Sequence, residues 1–77
     1  MPTLLFIFGL RFYFYSEEHL PIHIHVQNGD VKAKIDVETG VVLENRGIKP
    51  KDIKRATDVV CQYKEEIKNA WNEYFEE

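Results

Sequence analysis

The sequence predicts an α+β domain, a three- to four-stranded antiparallel β-meander packed on one long C-terminal α-helix. Three observations carry that expectation. Short stretches of alternating apolar and polar residues fill the first 44 positions, an Asn-Gly dipeptide separates two of them, and apolar residues then recur at three- and four-residue steps to the end. Strands first and a helix last, with no linker or internal repeat, make residues 1–77 a single small domain.

The opening run, Met1-Pro2-Thr3-Leu4-Leu5-Phe6-Ile7-Phe8-Gly9, is apolar enough for a signal peptide. It has no basic n-region, however, and continues directly into Leu10-Arg11-Phe12-Tyr13-Phe14-Tyr15, which alternates like a strand. It therefore reads as sheet over about residues 4–15, either one long strand bent at Gly9 or two short ones. A second strand over 22–27 is followed by Asn28-Gly29, suited to a two-residue type I′ turn, and a third over 31–37 pairs with it antiparallel. Glu38-Thr39-Gly40 supplies another turn before a short strand over 41–44, and Asn45-Arg46-Gly47-Ile48-Lys49 reads as a loop. Pro50 suits the first position of a helix, with Asp52 favourable in its first turn. The helix is predicted over about 50–75, with Ile53, Ala56, Val60, Tyr63, Ile67, Ala70, Trp71 and Tyr74 on one stripe and Trp71 clamping it to the sheet.

Composition limits the function classes. With 44% apolar and 30% charged residues the chain is neither disordered nor membrane-spanning, since no run of about 18 apolar residues occurs. The single cysteine, Cys61, allows no internal disulfide and suits a reducing compartment, so the cytoplasm is expected. The net charge of −3 is uneven: residues 1–55 sum to +1, and the acidic excess lies in residues 56–77. A net acidic chain of this kind can still present a basic face.

One helix covers one face of a sheet, so the apolar phase of each strand should point inward: Leu10, Phe12 and Phe14; Ile22, Ile24 and Val26; Val31, Ala33, Ile35 and Val37. The opposite phase is then an open face carrying Arg11, Tyr13 and Tyr15, then His23 and His25, then Lys32, Lys34 and Asp36. Aromatic planes interleaved with cations suit single-stranded RNA. They equally suit a docked protein partner, or a sheet face that simply meets water. Arg46 is a further candidate for reaching this face or an anion.

All three histidines of the chain fall in one segment, Glu18-His19-Leu20-Pro21-Ile22-His23-Ile24-His25-Val26. Alternate residues of a strand lie about 6.6–6.8 Å apart on one face, so His23 and His25 can act together. Two such imidazoles can flank a phosphodiester, one taking the proton of a 2′-hydroxyl and the other protonating the leaving oxygen, while Arg11 or Lys34 balances the phosphorane charge. That chemistry is metal-independent RNA cleavage, with His19 and Glu18 in support and no cofactor required. A second possibility is zinc or another transition metal held by His19, His23 and His25. In a third, the histidines shape the loop and fill the surface without chemistry.

The string Arg11-Phe12-x-Phe14-x-Ser16-x-Glu18-His19-x-Pro21-x-His23-x-His25-Val26, with Glu44-Asn45-Arg46-Gly47 and the closing Trp71-x-Glu73-Tyr74-Phe75, resembles the small prokaryotic family designated domain of unknown function 4160. The resemblance spans nearly the whole chain; Ile22 departs from it, standing where members often carry a second proline. It implies a small cognate partner protein, because genes of that family often adjoin those of the domain-of-unknown-function family 2442 and the pair is proposed to form a toxin–antitoxin module. It establishes no catalytic residues. The combined expectation is a toxin–antitoxin component that binds or acts on RNA through Arg11, Tyr13, Tyr15, Lys32, Lys34 and Arg46, with a non-enzymatic protein-docking module as the alternative and self-association open.

Overall fold

The computed structural model describes residues 3–14 and 22–75. Five strands, β1 (Thr3–Ile7), β2 (Leu10–Tyr13), β3 (His23–Asn28), β4 (Val31–Asp36) and β5 (Val42–Arg46), form one antiparallel sheet in chain order. Two helices follow, α1 (Pro50–Gln62) and α2 (Lys64–Phe75). The α+β class and the meander agree with the sequence pattern, but the counts of three or four strands and one helix do not.

The extra strand comes from a turn at Phe8-Gly9. Both residues take positive φ, 58° and 74°, as the centre of a type I′ hairpin requires. Residues 3–13 thus form a hairpin, with Ile7 paired to Leu10 and Phe6 to Arg11. A bulge between Thr3 and Leu5 turns both Leu4 and Leu5 toward α2, where they line an apolar depression of about 260 Å³ with Tyr63, Ile67 and Ala70. The next turn is also displaced. Asn28 pairs with Val31, leaving Gly29 and Asp30 as the loop, and of these only Gly29 has positive φ, as in a type II′ turn. Asn28 stays in the strand with its side-chain amide donating to Asp52 of α1 at 3.3 Å, while Gln27 Nε2 closes on the Gly29 carbonyl at 3.0 Å.

At the far end of the molecule the helix changes direction at Tyr63 (φ −104°, ψ 23°). The flanking hydrogen bonds, Tyr63 N–H to Val59 and Ile67 N–H to Tyr63, survive at 2.9 Å, so the apolar stripe continues through the bend. Two lysines just past the bend, Lys64 and Lys68, both reach Glu38 in the β4–β5 turn, at 3.6 and 2.8 Å. Lys68 holds the Glu38 carboxyl below its usual range, and Glu38 holds the Lys68 ammonium above its own. Buried Ile67 and Trp71 dock α2 on the sheet, and Trp71 meets Phe14 edge-on at 5.1 Å.

The predicted inward phase is the core. Leu10, Phe12, Phe14, Ile24, Val26, Ala33, Ile35 and Val37 are buried against Ala56, Val59, Val60 and Ile67 of the helices. Truncating one of these large side chains to Ala would cost about 2–5 kcal/mol. The two sheet edges differ in character: β1 carries no charged residue, whereas β5 carries Glu44 and Arg46.

β5 runs to Arg46, two residues beyond the predicted strand, and the loop after it is tightly specified. Asn45 donates to the Ile48 carbonyl at 3.0 Å and accepts from the Ile48 N–H at 2.9 Å. Gly47 has φ +102°, and a Cβ there would lie 2.8 Å from Cγ1 of Val31. This loop fixes both where β5 ends and where α1 begins. Pro50 starts α1 as expected, with Asp52 in the first turn and no side-chain cap from Lys49.

Candidate functional site

Residues paired across an antiparallel sheet share a face, so the register lays out the open face as a grid. One row reads Tyr13, His25, Lys34, Glu44 from β2 to β5; the row beside it reads Arg11, Gln27, Lys32, Arg46. Phe6 of β1 extends the second row beyond Arg11, and His23 pairs with Asp36 on the other side of the first. Every described member of the sequence-predicted set thus lies on one face: Arg11, Tyr13, His23, His25, Lys32, Lys34 and Arg46. His19, Glu18 and Tyr15 fall outside the described residues.

Sharing a face does not make these side chains equally accessible. Arg11 lays its guanidinium 4.5 Å from the centre of the Tyr13 ring and donates to Gln27 Oε1 at 3.1 Å. Tyr13 stacks on His25 at 5.5 Å, His25 meets His23 edge to face at 5.3 Å, and His23 lies 5.5 Å from Trp71. The result is a continuous ladder of flat groups running diagonally over the face to the C-terminal helix. Within it Tyr13 is only 1% exposed and His23 9%. The expectation that Tyr13 offers a stacking surface for bases is therefore corrected, because its ring is already covered by its neighbours. His23 is likewise nearly buried, with the rings of His25 and Trp71 against it.

The accessible part of the face lies toward β5. A shallow depression of about 200 Å³ is lined by His25, Lys32, Ala33, Lys34, Glu44 and Arg46. Arg46 is paired with Glu44 through its Nε, which aligns the guanidinium along the sheet. Three cations and one imidazole against one carboxylate make the depression electropositive, and its floor is rigid strand. Glu44 was not anticipated from the sequence: simple alternation puts Glu44 and Arg46 on the same side as the core-packed Val42, and only the irregularity between Lys34 and Ile35 in the β4–β5 pairing sets Val42 opposite Ile35 but Glu44 opposite Lys34. Among the described residues no three His, Cys, Asp or Glu side chains cluster to hold a metal ion, and His23 and His25 are the only described members of the proposed His19/His23/His25 set. Among the described residues, no helix is long and apolar enough to cross a membrane.

The sequence reading also missed Phe6 and Phe8, which it took as part of an apolar strand. They are 71% and 59% exposed. A family model described as Domain of unknown function (DUF4160) matches residues 9–72. No curated protein and no solved structure matches the chain.

Proposed function

Because the chain belongs to the DUF4160 family, whose description assigns no activity, we propose from the geometry of the site that it binds single-stranded RNA across the open sheet face, and from the family resemblance alone that it does so as one component of a toxin–antitoxin pair. The observation that carries this reading is the electropositive depression formed by Lys32, Lys34 and Arg46 around His25, continued by Arg11 along the neighbouring row. Cations at strand spacing on a flat floor suit successive phosphates, and their contribution comes from release of condensed counterions. His25 is the imidazole that meets a phosphodiester in this depression. His23, buried between His25 and Trp71, orients that ring rather than acting as a second proton donor. The burial of His23 weighs against a mechanism in which both imidazoles flank the scissile bond.

The test is a titration of isotopically labelled protein with short single-stranded RNA at low salt. Signals of His25, Lys32, Lys34 and Arg46 should shift together, and silence there refutes the reading. Three phosphate contacts predict a slope of log K against log salt of roughly −2, reduced by about 0.7 in Lys34→Gln. The same RNA, recovered after incubation in chelator, reports the histidine chemistry. Intact RNA confines the function to binding; cleavage that disappears in His25→Ala assigns proton transfer to His25.

A further inference from the structure

We propose that the rings of Phe6 and Phe8 are the base-stacking platform of this protein, so that RNA crossing the Arg46–Lys32–Gln27–Arg11 row lays its bases on the β1–β2 hairpin. This rests on the RNA-binding reading and adds to it a subsite that neither charge nor the histidine motif indicates.

Three independent features lead to these rings. The first is exposure: Phe is a residue normally buried, yet two lie open on one seven-residue stretch, Thr3 to Gly9, that contains no charge. The second is strain. Phe8 takes φ +58°, a conformation that costs an L-residue stability and that Gly or Asn would adopt more readily. The type I′ turn requires positive φ at this position but does not require an aromatic there, and the residue is mostly exposed. What the turn achieves is to project the ring at the tip of the hairpin, with the Arg55 guanidinium 5.3 Å from its centre on one side. An exposed aromatic at a turn position that Gly or Asn fills more readily motivates a functional reading of this ring.

The third feature is location. Phe6 is paired with Arg11 and so stands at the end of the cationic row. The same end of the sheet receives the start of α1, tied there by the Asn28–Asp52 hydrogen bond, and with it exposed Lys49, Lys51 and Arg55. Flat apolar rings bordered by cations meet the two demands of single-stranded nucleic acid, planes for bases and charge for phosphates. A protein partner held through the rings alone would have no use for the cationic row. The platform also supplies what Tyr13, covered by Arg11 and His25, does not.

The experiment compares two fluorescent probes of equal length, an oligouridylate of about ten nucleotides and a ribose-phosphate oligomer without bases, by anisotropy at low salt. Phe6→Ala and Phe8→Gly should each weaken the oligouridylate by roughly 5- to 150-fold and leave the base-free oligomer unchanged. Because Gly accepts positive φ freely, Phe8→Gly should melt no lower than the parent, separating stacking from folding. Unchanged oligouridylate affinity in both variants overturns the stacking platform, and if Lys34→Gln still weakens binding, RNA binding by the face stands without it. Equal losses on both probes also overturn it, by showing that the rings act through the fold. Altered sedimentation with intact RNA affinity assigns the rings to a protein contact and overturns it as well. If the parent binds neither probe, both proposals fall.

Discussion

Replacing Gly47 by Ala tests whether the β5–α1 loop is as tightly determined as its geometry implies. At φ +102° an L-residue is strained, at about 1–2 kcal/mol. The new methyl would also approach Cγ1 of Val31 to 2.8 Å and its Cβ to 3.3 Å, contacts that force the neighbour to move and cost roughly a further 1–3 kcal/mol. Relaxation by shifting the loop is opposed by the paired hydrogen bonds between Asn45 and Ile48. Gly47→Ala should therefore lose about 2–5 kcal/mol, against a total of roughly 4–12 kcal/mol for a domain of 77 residues. Urea unfolding at 25 °C measures it, with an unchanged m-value confirming that the folded and unfolded states keep their surface areas. The two terms separate in Val31→Ala, which removes the clashing methyls. In that background Gly47→Ala should recover most of the steric cost of about 1–3 kcal/mol, leaving the backbone strain and the 3.3 Å approach to Cβ. A loss below about 0.5 kcal/mol, typical of an inert surface change, would refute the argument. A full loss with no coupling to Val31 would refute its steric half.

Asn45→Ala should cost about 1–3 kcal/mol by leaving the Ile48 N–H and carbonyl without their partner, read in the same urea series. Trp71→Ala should cost about 3–5 kcal/mol and release the His23 ring, visible as a changed imidazole signal, whereas Trp71→Phe should keep most of both. Glu38→Gln should destabilise at neutral pH but not in acid. The folded carboxylate has its pKa depressed, so its contribution is present above the unfolded value and is lost as pH falls through the folded one. Melting temperatures of parent and variant should converge on acidification, and added salt should narrow the neutral gap, because the pair faces solvent.

Alternation made the direction of side chains legible. Phe12, Phe14, Ile24, Val26, Ala33, Ile35 and Val37 were assigned inward from period two alone, and all are buried. The same rule put Arg11, Tyr13, His23, His25, Lys32 and Lys34 on the other face. It says nothing about what lies sideways over a residue, which is why the cover on Tyr13 and His23 was not foreseen. Gly9 marks a break in this segment, but because a bulky aromatic is a poor turn residue, Phe8 leaves a bent strand and a two-strand hairpin equally open to the eye. The bend at Tyr63 has no Gly or Pro to announce it, and the contacts beside it, from Lys64 and Lys68 to Glu38, join residues too far apart in sequence to be read from local pattern. At Asn28-Gly29 two favoured two-residue turns compete, and the pairing of Asn28 with Val31 selects the one with Gly29 in the first position.

The unequal edges of the sheet set a limit on assembly. Strand addition needs an edge that tolerates a neighbour, and β1 has one while Glu44 and Arg46 guard β5. Among the described residues, β1 is therefore the edge better suited to this kind of contact. Two copies joined through β1 about a two-fold axis would use up both permissive edges and turn only the charged ones outward, so growth would end at a closed pair instead of propagating into a fibre.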